Sequence, residues 1–174
     1  MGTYYHIFLD MDGVLTDFVS AVRKLGEGPA KGLGDGPRQE DRQAMDKAVE
    51  EAGEAFWSKM PWMKDGRELW KVFKPFRPTI LTAPGKFTTA KIGKTEWVRN
   101  NIPGTSLFFS NTKYEYVDRY EPSILIDDQK PMIDAWEQAG GIGILHQSLA
   151  NTERQFLELL WNNPSTVKKD YLKC

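Results

Sequence analysis

Short apolar segments that favour β-strands alternate with helical patterns along this chain, and this alternation limits its fold more than any other feature of the sequence. The segments predicted as strands are YHIFL (5–9), TIL (79–81), SLFF (106–109), SILIDD (123–128) and GIGILH (141–146). Strands that are joined through helices pair in parallel, with right-handed crossovers. The sequence therefore predicts an α/β fold with a doubly wound parallel sheet.

One interval breaks this alternation, because the segment between the first two predicted strands is too long for a single crossover helix. Helical patterns flank a Gly- and Pro-rich stretch at 26–39, and they cover residues 14–25, 40–60 and 65–73. We therefore expect a small helical cap, residues 17–75, inserted into a core domain made of residues 1–16 and 76–174.

The charge balance and the single cysteine exclude several classes of protein. The 174 residues carry 23 basic and 24 acidic side chains, which gives a formal net charge of −1 and no electrostatic reason to expect a stable nucleic-acid partner or a membrane surface. No apolar run approaches the ~18 residues of a membrane span. Cys174 alone excludes an intrachain disulfide and a cysteine-rich zinc site. We expect a cytoplasmic or other reducing compartment, and the oligomeric state stays open.

Polar side chains follow the predicted strands, at Asp10, Thr82, Ser110 and the pair Asp127 and Asp128. Because the carboxyl ends of parallel strands meet at one edge of a sheet, we expect these side chains to converge. Carboxylates that lie so close repel one another unless a cation lies between them. Oxygen ligands without cysteine or clustered histidine favour a hard ion, and we expect Mg²⁺.

The first predicted strand ends in two acids one residue apart, Asp10 and Asp12, and Gly13 follows at once. Glycine permits a close backbone turn that lets both acids face one group. Alone, a strand followed by Asp-x-Asp is often only a polar turn. Together with Thr82, a lysine and a bound Mg²⁺, one carboxylate would be free to attack phosphorus and the other to move protons, which predicts a site for phosphoryl transfer.

Three motifs resemble, in this order, the first, second and fourth motifs of the haloacid dehalogenase (HAD) superfamily of phosphatases: DMDGVLTD (10–17), ILTAP (80–84) and LIDD (125–128). The resemblance spans residues 5–145 and goes further, to the 5′(3′)-deoxyribonucleotidase family. The counterparts of that family's other features are an aromatic-rich cap segment at 56–70, a T-x-P turn at 82–84 and KTEWV at 94–98.

The resemblance implies a role for each matching residue. It implies that Asp10 is the nucleophile that forms an aspartyl-phosphate and a Mg²⁺ ligand. Asp12 would be the general acid and then the general base, and its backbone carbonyl would help to hold Mg²⁺. Thr82 would donate a hydrogen bond to the phosphoryl oxygens. Asp127 would complete the Mg²⁺ ligands, with Asp128 as a ligand or water-holder beside it.

The resemblance also implies a lysine that neutralises phosphoryl charge. Lys113 follows a predicted strand and is favoured for this role, with Lys91 and Lys94 as competitors. Two residues depart from the family pattern. Ala83 stands where a serine is common, and Asn111 stands where a basic residue is common. Both positions are expected near the substrate, where they allow a different substrate preference.

Two aromatic residues of the predicted cap, Phe56 and Trp57, have two possible roles. An aromatic ring beside the site stacks on a nucleobase for about 1–3 kcal/mol. The alternative, which we favour, is that both rings form the core of the cap itself.

The sequence thus predicts a Mg²⁺-dependent phosphomonoesterase with a small-molecule substrate, and (deoxy)nucleoside monophosphates are favoured. Two alternatives remain. The substrate could be another phosphoester, such as a sugar phosphate or a polynucleotide 3′-phosphate, although the near-neutral chain argues against a long nucleic acid. The chain could also be a catalytically silent module that binds a nucleotide or Mg²⁺, although the intact pair Asp10 and Asp12 argues against it.

Overall fold

The computed structural model describes residues 5–34, 36–117 and 122–162 of the chain. Cys174 lies outside these ranges. None of the described helices combines the length and the apolar character that a membrane crossing requires.

The described residues form one five-stranded sheet. Its strands are β1 (His6–Leu9), β2 (Thr79–Thr82), β3 (Leu107–Phe109), β4 (Ser123–Asp127) and β5 (Ile142–Leu145). All neighbouring strands are parallel, and their order in space is β3-β2-β1-β4-β5. The predicted α/β fold with a doubly wound parallel sheet is confirmed.

Seven α-helices accompany the sheet in the described residues. They are α1 (Phe18–Arg23), α2 (Glu27–Ala30), α3 (Gln39–Ser58), α4 (Gly66–Phe73), α5 (Ala90–Asn101), α6 (Lys130–Gln138) and α7 (Leu149–Asn162). Helices α1 to α4 lie between β1 and β2, where the sequence predicts a cap. The division into a core and a cap domain stays a prediction.

The sheet is buried on both faces, which explains why its central strands are almost wholly apolar. On one face, the core includes Ile7 and Leu9 of β1 together with Trp97 of α5. On the other face, Phe8 of β1 packs with Trp136 of α6. Alternate residues of one strand thus serve two different layers of helices.

The prediction of a helix over 14–25 is wrong at its beginning, since α1 begins only at Phe18. The amide groups of Leu15 and Thr16 both donate to the carbonyl oxygen of Met11, at 2.8 Å, and fold the chain into a tight turn before the helix. Asp17 then caps α1 by accepting a hydrogen bond from the amide of Ser20 at 2.8 Å. The turn keeps the acids of the first motif out of a helix.

The Gly- and Pro-rich stretch at 26–39 is also more ordered than predicted, because it contains α2. Helix α3, in turn, is interrupted at Gly53, whose φ of 65° is the left-handed conformation that glycine adopts at low cost. The part of α3 that follows Gly53 packs against α5.

Candidate active site

The strand order brings the predicted strand-end residues together. Because β1 lies between β2 and β4, Asp10 at the end of β1 lies between Thr82 and Asp127. The amide of Asp10 donates to the carbonyl oxygen of Ile126 at 2.9 Å, which continues the sheet up to the acid. Ser110 is placed further out, where its amide donates to the carbonyl oxygen of Thr82 at 3.1 Å.

The turn after β1 fixes the second acid. Gly13 has a φ of 81°, and its amide donates to the carbonyl oxygen of Thr16 at 2.8 Å. The hydroxyl of Thr16 lies 3.0 Å from Asp12 Oδ1 and 3.1 Å from the carbonyl oxygen of Met11, and these two acceptors share its single proton. Asp12 is therefore held by its own turn.

Lys113 joins two of the acids. Its Nζ lies 2.7 Å from Asp10 Oδ1 and 2.7 Å from Asp127 Oδ2, and all three residues are buried. Burial lowers the pKa of Lys113, but the charges of Asp10 and Asp127 outweigh it, so the pKa is raised overall. Lys113 is therefore a fixed cation beside the expected nucleophile.

The remaining charge in this corner of the site is negative. Oxygen atoms of Asp10, Asp127 and Asp128 all lie within 4.8 Å of one another. Burial and then the charge of Asp10 raise the pKa of Asp127, against the opposite effect of Lys113. Desolvation and then the charges of Asp10 and Asp127 raise the pKa of Asp128 to about 7, although the residue as a whole is exposed.

This cluster fits a hard divalent cation. Its donor set is made of oxygen atoms alone. Three carboxylates and the ammonium of Lys113 leave a formal charge of −2, which a divalent ion balances. Gly13 provides the space, since a Cβ at this position would collide with the carboxyl group of Asp128. Asp10, Asp127 and Asp128 are therefore the carboxylates that would hold such a cation, and the part of the Asp12 backbone carbonyl stays a prediction.

A second lysine lies on the other side of the acids. Lys94 of α5 is 1% exposed, and its Nζ donates to Asp12 Oδ2 at 2.6 Å, to Thr82 Oγ1 at 3.0 Å and to the carbonyl oxygen of Ala83 at 2.8 Å. Lys113 contacts the expected nucleophile and Lys94 contacts the expected general acid. Lys91, the third candidate, is exposed on α5.

Known proteins resemble this chain in structure rather than in sequence. No protein-family model matches the chain, and no curated protein matches it. A haloacid dehalogenase-like hydrolase from Streptococcus pneumoniae is 11% identical with a TM-score of 0.56, over 91% of this chain and 98% of its own. A HAD-superfamily hydrolase of subfamily IA from Geobacter sulfurreducens is 13% identical with a TM-score of 0.55, over 91% and 97%. A protein from Clostridium acetobutylicum described as a predicted phosphatase is 13% identical with a TM-score of 0.53, over 90% and 99%.

The described part of the chain shares the fold of these hydrolases. In this fold, as in other open α/β sheets, the crevice at the carboxyl ends of the strands is where ligands bind. The acids and lysines described above lie in that crevice.

A cavity of about 530 Å³ opens beside these acids, within the range typical of small-molecule sites. Asp12, Lys94 and Asp128 line its polar side. Its apolar side is formed by side chains from the segment between β1 and β2 and from the loop after β2: Phe18, Val19, Trp57, Met63, Pro84 and Phe87. The cavity thus places an apolar wall next to the charged groups.

The predicted substrate residues fall into two groups. Ala83 and Trp57 line the cavity, whereas Phe56 and Asn111 do not. Phe56 packs edge-on against Phe18 and Trp57, and Asn111 Oδ1 accepts a hydrogen bond from the amide of Gly85 at 3.3 Å. Asn111 thus contacts the loop after β2, and the roles in substrate binding stay predictions.

The sequence names Lys94 only as a competitor of Lys113, although both lysines contact the acids. It assigns no place in the site to Phe18 or Phe87, which line the cavity. The signal for Lys94 was its place on the buried face of α5, three residues before Trp97 and four after Ala90. Phe18 and Phe87 gave no comparable signal, because each is a single aromatic residue at the edge of a turn.

Proposed function

We propose that this protein is a Mg²⁺-dependent phosphomonoesterase that acts through an aspartyl-phosphate on Asp10. The observation that carries the proposal is the pairing of two buried lysines with two neighbouring acids, Lys113 with Asp10 and Lys94 with Asp12. A site of this composition neutralises the charge of a phosphoryl group and keeps two carboxylates available for chemistry. The HAD-hydrolase fold and the motif resemblance support the same reaction.

In the first step, a carboxylate oxygen of Asp10 attacks phosphorus and the bond from phosphorus to the leaving oxygen breaks. Since Lys113 contacts Oδ1 of Asp10, we assign the attack to Oδ2. Asp12 gives a proton to the leaving oxygen. The hydroxyl of Thr82 accepts from Lys94 and keeps its own proton for a phosphoryl oxygen.

In the second step, Asp12 takes a proton from water, and the resulting hydroxide attacks phosphorus. The bond from phosphorus to Asp10 breaks, which releases inorganic phosphate and restores both acids. A Mg²⁺ ion held by Asp10, Asp127 and Asp128 would stabilise the negative charge that develops on the phosphoryl oxygens. Lys113 keeps Asp10 and Asp127 in place throughout.

For the substrate, we propose a nucleoside monophosphate. The apolar side of the cavity, with Phe18, Val19, Met63 and Phe87, provides a surface for a flat apolar leaving group beside the acids. A nucleobase has this shape and stacks on aromatic rings. The resemblance to 5′(3′)-deoxyribonucleotidases supports the same substrate class, and we propose a cytoplasmic enzyme of nucleotide metabolism.

The test is phosphate release from a panel of nucleoside 5′- and 3′-monophosphates, with Mg²⁺ and with EDTA, for the wild type, Asp10→Asn and the control Asp134→Asn. Asp134 is an exposed acid of α6 that pairs with Lys130. We expect turnover that is lost with EDTA and with Asp10→Asn but not with Asp134→Asn. Turnover of sugar phosphates or 3′-phosphorylated oligonucleotides alone would keep the chemistry and overturn the substrate. Release from no phosphoester would favour the silent binding module.

A further inference from the structure

We propose that Trp57 is a positioning residue, whose ring holds Lys94 on Asp12 and Thr82 so that Asp12 is placed to protonate the leaving group. This inference rests on the proposed function. It assigns to Trp57 a role other than stacking on a nucleobase.

The first step of the argument is the state of Lys94. An ammonium group has three N–H donors, and the three acceptors of Lys94 use all of them: Asp12 Oδ2, Thr82 Oγ1 and the carbonyl oxygen of Ala83. A buried ammonium is stable only while such partners stay in place. Lys94 thus connects the expected proton donor with the expected phosphate-binding hydroxyl.

The second step is the contact between Lys94 and Trp57. The Nζ of Lys94 lies 5.1 Å from the centroid of the Trp57 ring, within the ~6 Å limit of a cation–π contact. The indole ring thus lies against the ammonium group of a lysine that is only 1% exposed. A ring in this position excludes water, which would otherwise compete for the N–H groups of Lys94.

The third step concerns the ring itself. Trp57 is 2% exposed, and Phe18, Phe56 and Phe87 contact it at centroid distances of 5.8, 4.9 and 5.2 Å. Its Nε1 donates to Thr89 Oγ1 at 3.2 Å. A ring that is enclosed in this way has a fixed orientation, although Trp57 also lines the cavity.

The fourth step is the backbone that brings Trp57 to Lys94. A Cβ at Gly93 would lie 2.5 Å from Trp57 Cβ and 2.5 Å from the carbonyl oxygen of Glu54. The absence of a side chain at Gly93 therefore allows α3 to touch α5 one residue before Lys94. The sequence Gly93-Lys94 thus couples close helix packing to a lysine that reaches into the site.

If the Trp57 ring is removed, water reaches Lys94 and its hold on Asp12 loosens, so the protonation of the leaving oxygen becomes slower. A basic leaving group, such as the alkoxide of a nucleoside, depends on this proton, whereas p-nitrophenolate leaves without it. A merely structural loss would reduce both reactions equally. The leaving group is therefore the decisive variable.

The experiment compares kcat for a nucleoside monophosphate and for p-nitrophenyl phosphate, both with Mg²⁺, in Trp57→Leu, Trp57→Phe and Lys94→Met. We expect Trp57→Leu to lose about tenfold or more on the nucleotide and less than about threefold on p-nitrophenyl phosphate, since general acid catalysis contributes ~10²–10⁴-fold. Trp57→Phe keeps a ring beside Lys94, so its kcat on the nucleotide should be close to that of the wild type. Trp57→Leu should cause no further loss in the presence of Lys94→Met, because two changes in one coupled unit are not additive.

Two control variants separate other roles of the ring. Thr89→Val removes the hydrogen bond of Trp57 Nε1 and keeps the ring, and Phe56→Leu changes a neighbouring ring that does not contact Lys94. Each variant removes one contact of the ring and keeps the ring itself, so both should change the ratio of the two kcat values less than Trp57→Leu does. Equal losses on both substrates after Trp57→Leu, or an additive loss in the double variant, would overturn the proposal.

A measurement without substrate distinguishes this inference from the proposed function. We expect the loss of Tm in the double variant Trp57→Leu, Lys94→Met to be smaller than the sum of the two single losses, because one contact is removed twice. Additive losses would overturn the contact. If the wild-type protein hydrolyses no phosphomonoester, the proposed function and the positioning role of Trp57 are both overturned, whatever the Tm values show about its contact with Lys94.

Discussion

Lys113 is a buried cation between two buried acids, and such an arrangement is stable only while all three charges are present. Replacing Lys113 by Met would leave Asp10 and Asp127 facing each other without a counter-charge. We expect Lys113→Met to lower the free energy of unfolding by about 3–5 kcal/mol and to abolish phosphatase activity. Urea unfolding and phosphate release measure the two effects.

The matched control for this prediction is Lys130→Met. It removes an exposed ion pair in which the lysine Nζ lies 2.6 Å from Asp134 Oδ1. Exposed pairs contribute only about 0–1 kcal/mol, so this variant should stay close to the wild type in both measurements. Equal losses of stability in Lys113→Met and Lys130→Met would mean that the contacts of Lys113 with Asp10 and Asp127 contribute no more than an exposed ion pair.

The carboxylates of Asp10 and Asp127 repel that of Asp128, and a bound metal would relieve this repulsion. The raised pKa of Asp128, about 7, means that its ionised form costs stability at pH values above the ordinary pKa of an aspartate. We therefore expect Asp128→Asn to raise the Tm of the metal-free protein at pH 7.5. The same variant should reduce the rise in Tm that Mg²⁺ causes in the wild type by binding the folded state.

Scanning calorimetry with EDTA and with Mg²⁺ measures both effects, and Asp134→Asn serves as the control acid. A lower Tm of Asp128→Asn in EDTA would show that this carboxylate stabilises the fold without a metal. If Mg²⁺ raises the Tm of Asp128→Asn as much as that of the wild type, Asp128 is not a metal ligand.

At the scale of single elements, the contact between α3 and α5 depends on Gly93. In Gly93→Ala, the new Cβ would meet backbone and Cβ atoms, which have little freedom to move aside. We expect a loss of about 1–3 kcal/mol in the free energy of unfolding, as for other overpacked positions. Gly28→Ala in α2 is the control, since nothing lies within 4 Å of its Cβ position and alanine favours helices.

Urea unfolding of the two variants gives the comparison directly. A loss in Gly93→Ala no larger than that in Gly28→Ala would mean that α3 and α5 leave room for a side chain at position 93.

The elements also show which features were predictable. The strands of the sheet and the helix α5 follow from apolar patterns whose periods match burial, so the sequence predicts them well. The turn before α1 was missed because the apolar spacing of Val14 and Phe18 fits a helix equally well. What decides against a helix is the set of hydrogen bonds that Leu15 and Thr16 make to Met11 and Asp12 within the turn, which the apolar pattern does not reveal.

At the scale of the whole molecule, the strand order explains why the acids could be predicted and the roles of the lysines could not. Parallel strands end at one edge, so Asp10, Thr82 and Asp127 had to lie near one another once the fold was known. Lys94 and Lys113 reach the same edge from a helix and from a turn, and their directions depend on packing. The sequence favours a packing role for Trp57, and the contact of its ring with Lys94 has no signature in the sequence.

A buried histidine, His146, follows β5 at the edge of the sheet. His146 Nδ1 lies 2.8 Å from Thr152 Oγ1 of α7, and Asp65, before α4, accepts a hydrogen bond from the amide of Leu149 at 2.7 Å. Burial lowers the pKa of His146, against the opposite effect of Asp65. The folded protein therefore resists protonation of this ring more than the unfolded chain does.

Since the unfolded chain takes up this proton below a pH of about 6.5, His146 removes stability as the pH falls through that value and leaves it unchanged at higher pH. We expect the free energy of unfolding of His146→Gln to rise relative to that of the wild type as the pH falls from 7.5 to 5.5. Urea unfolding at several pH values measures this difference, with His6→Gln, at an exposed position of β1, as the control. A difference between His146→Gln and the wild type that is constant over this range would contradict the prediction, because it would mean that His146 ionises as easily in the fold as in the unfolded chain.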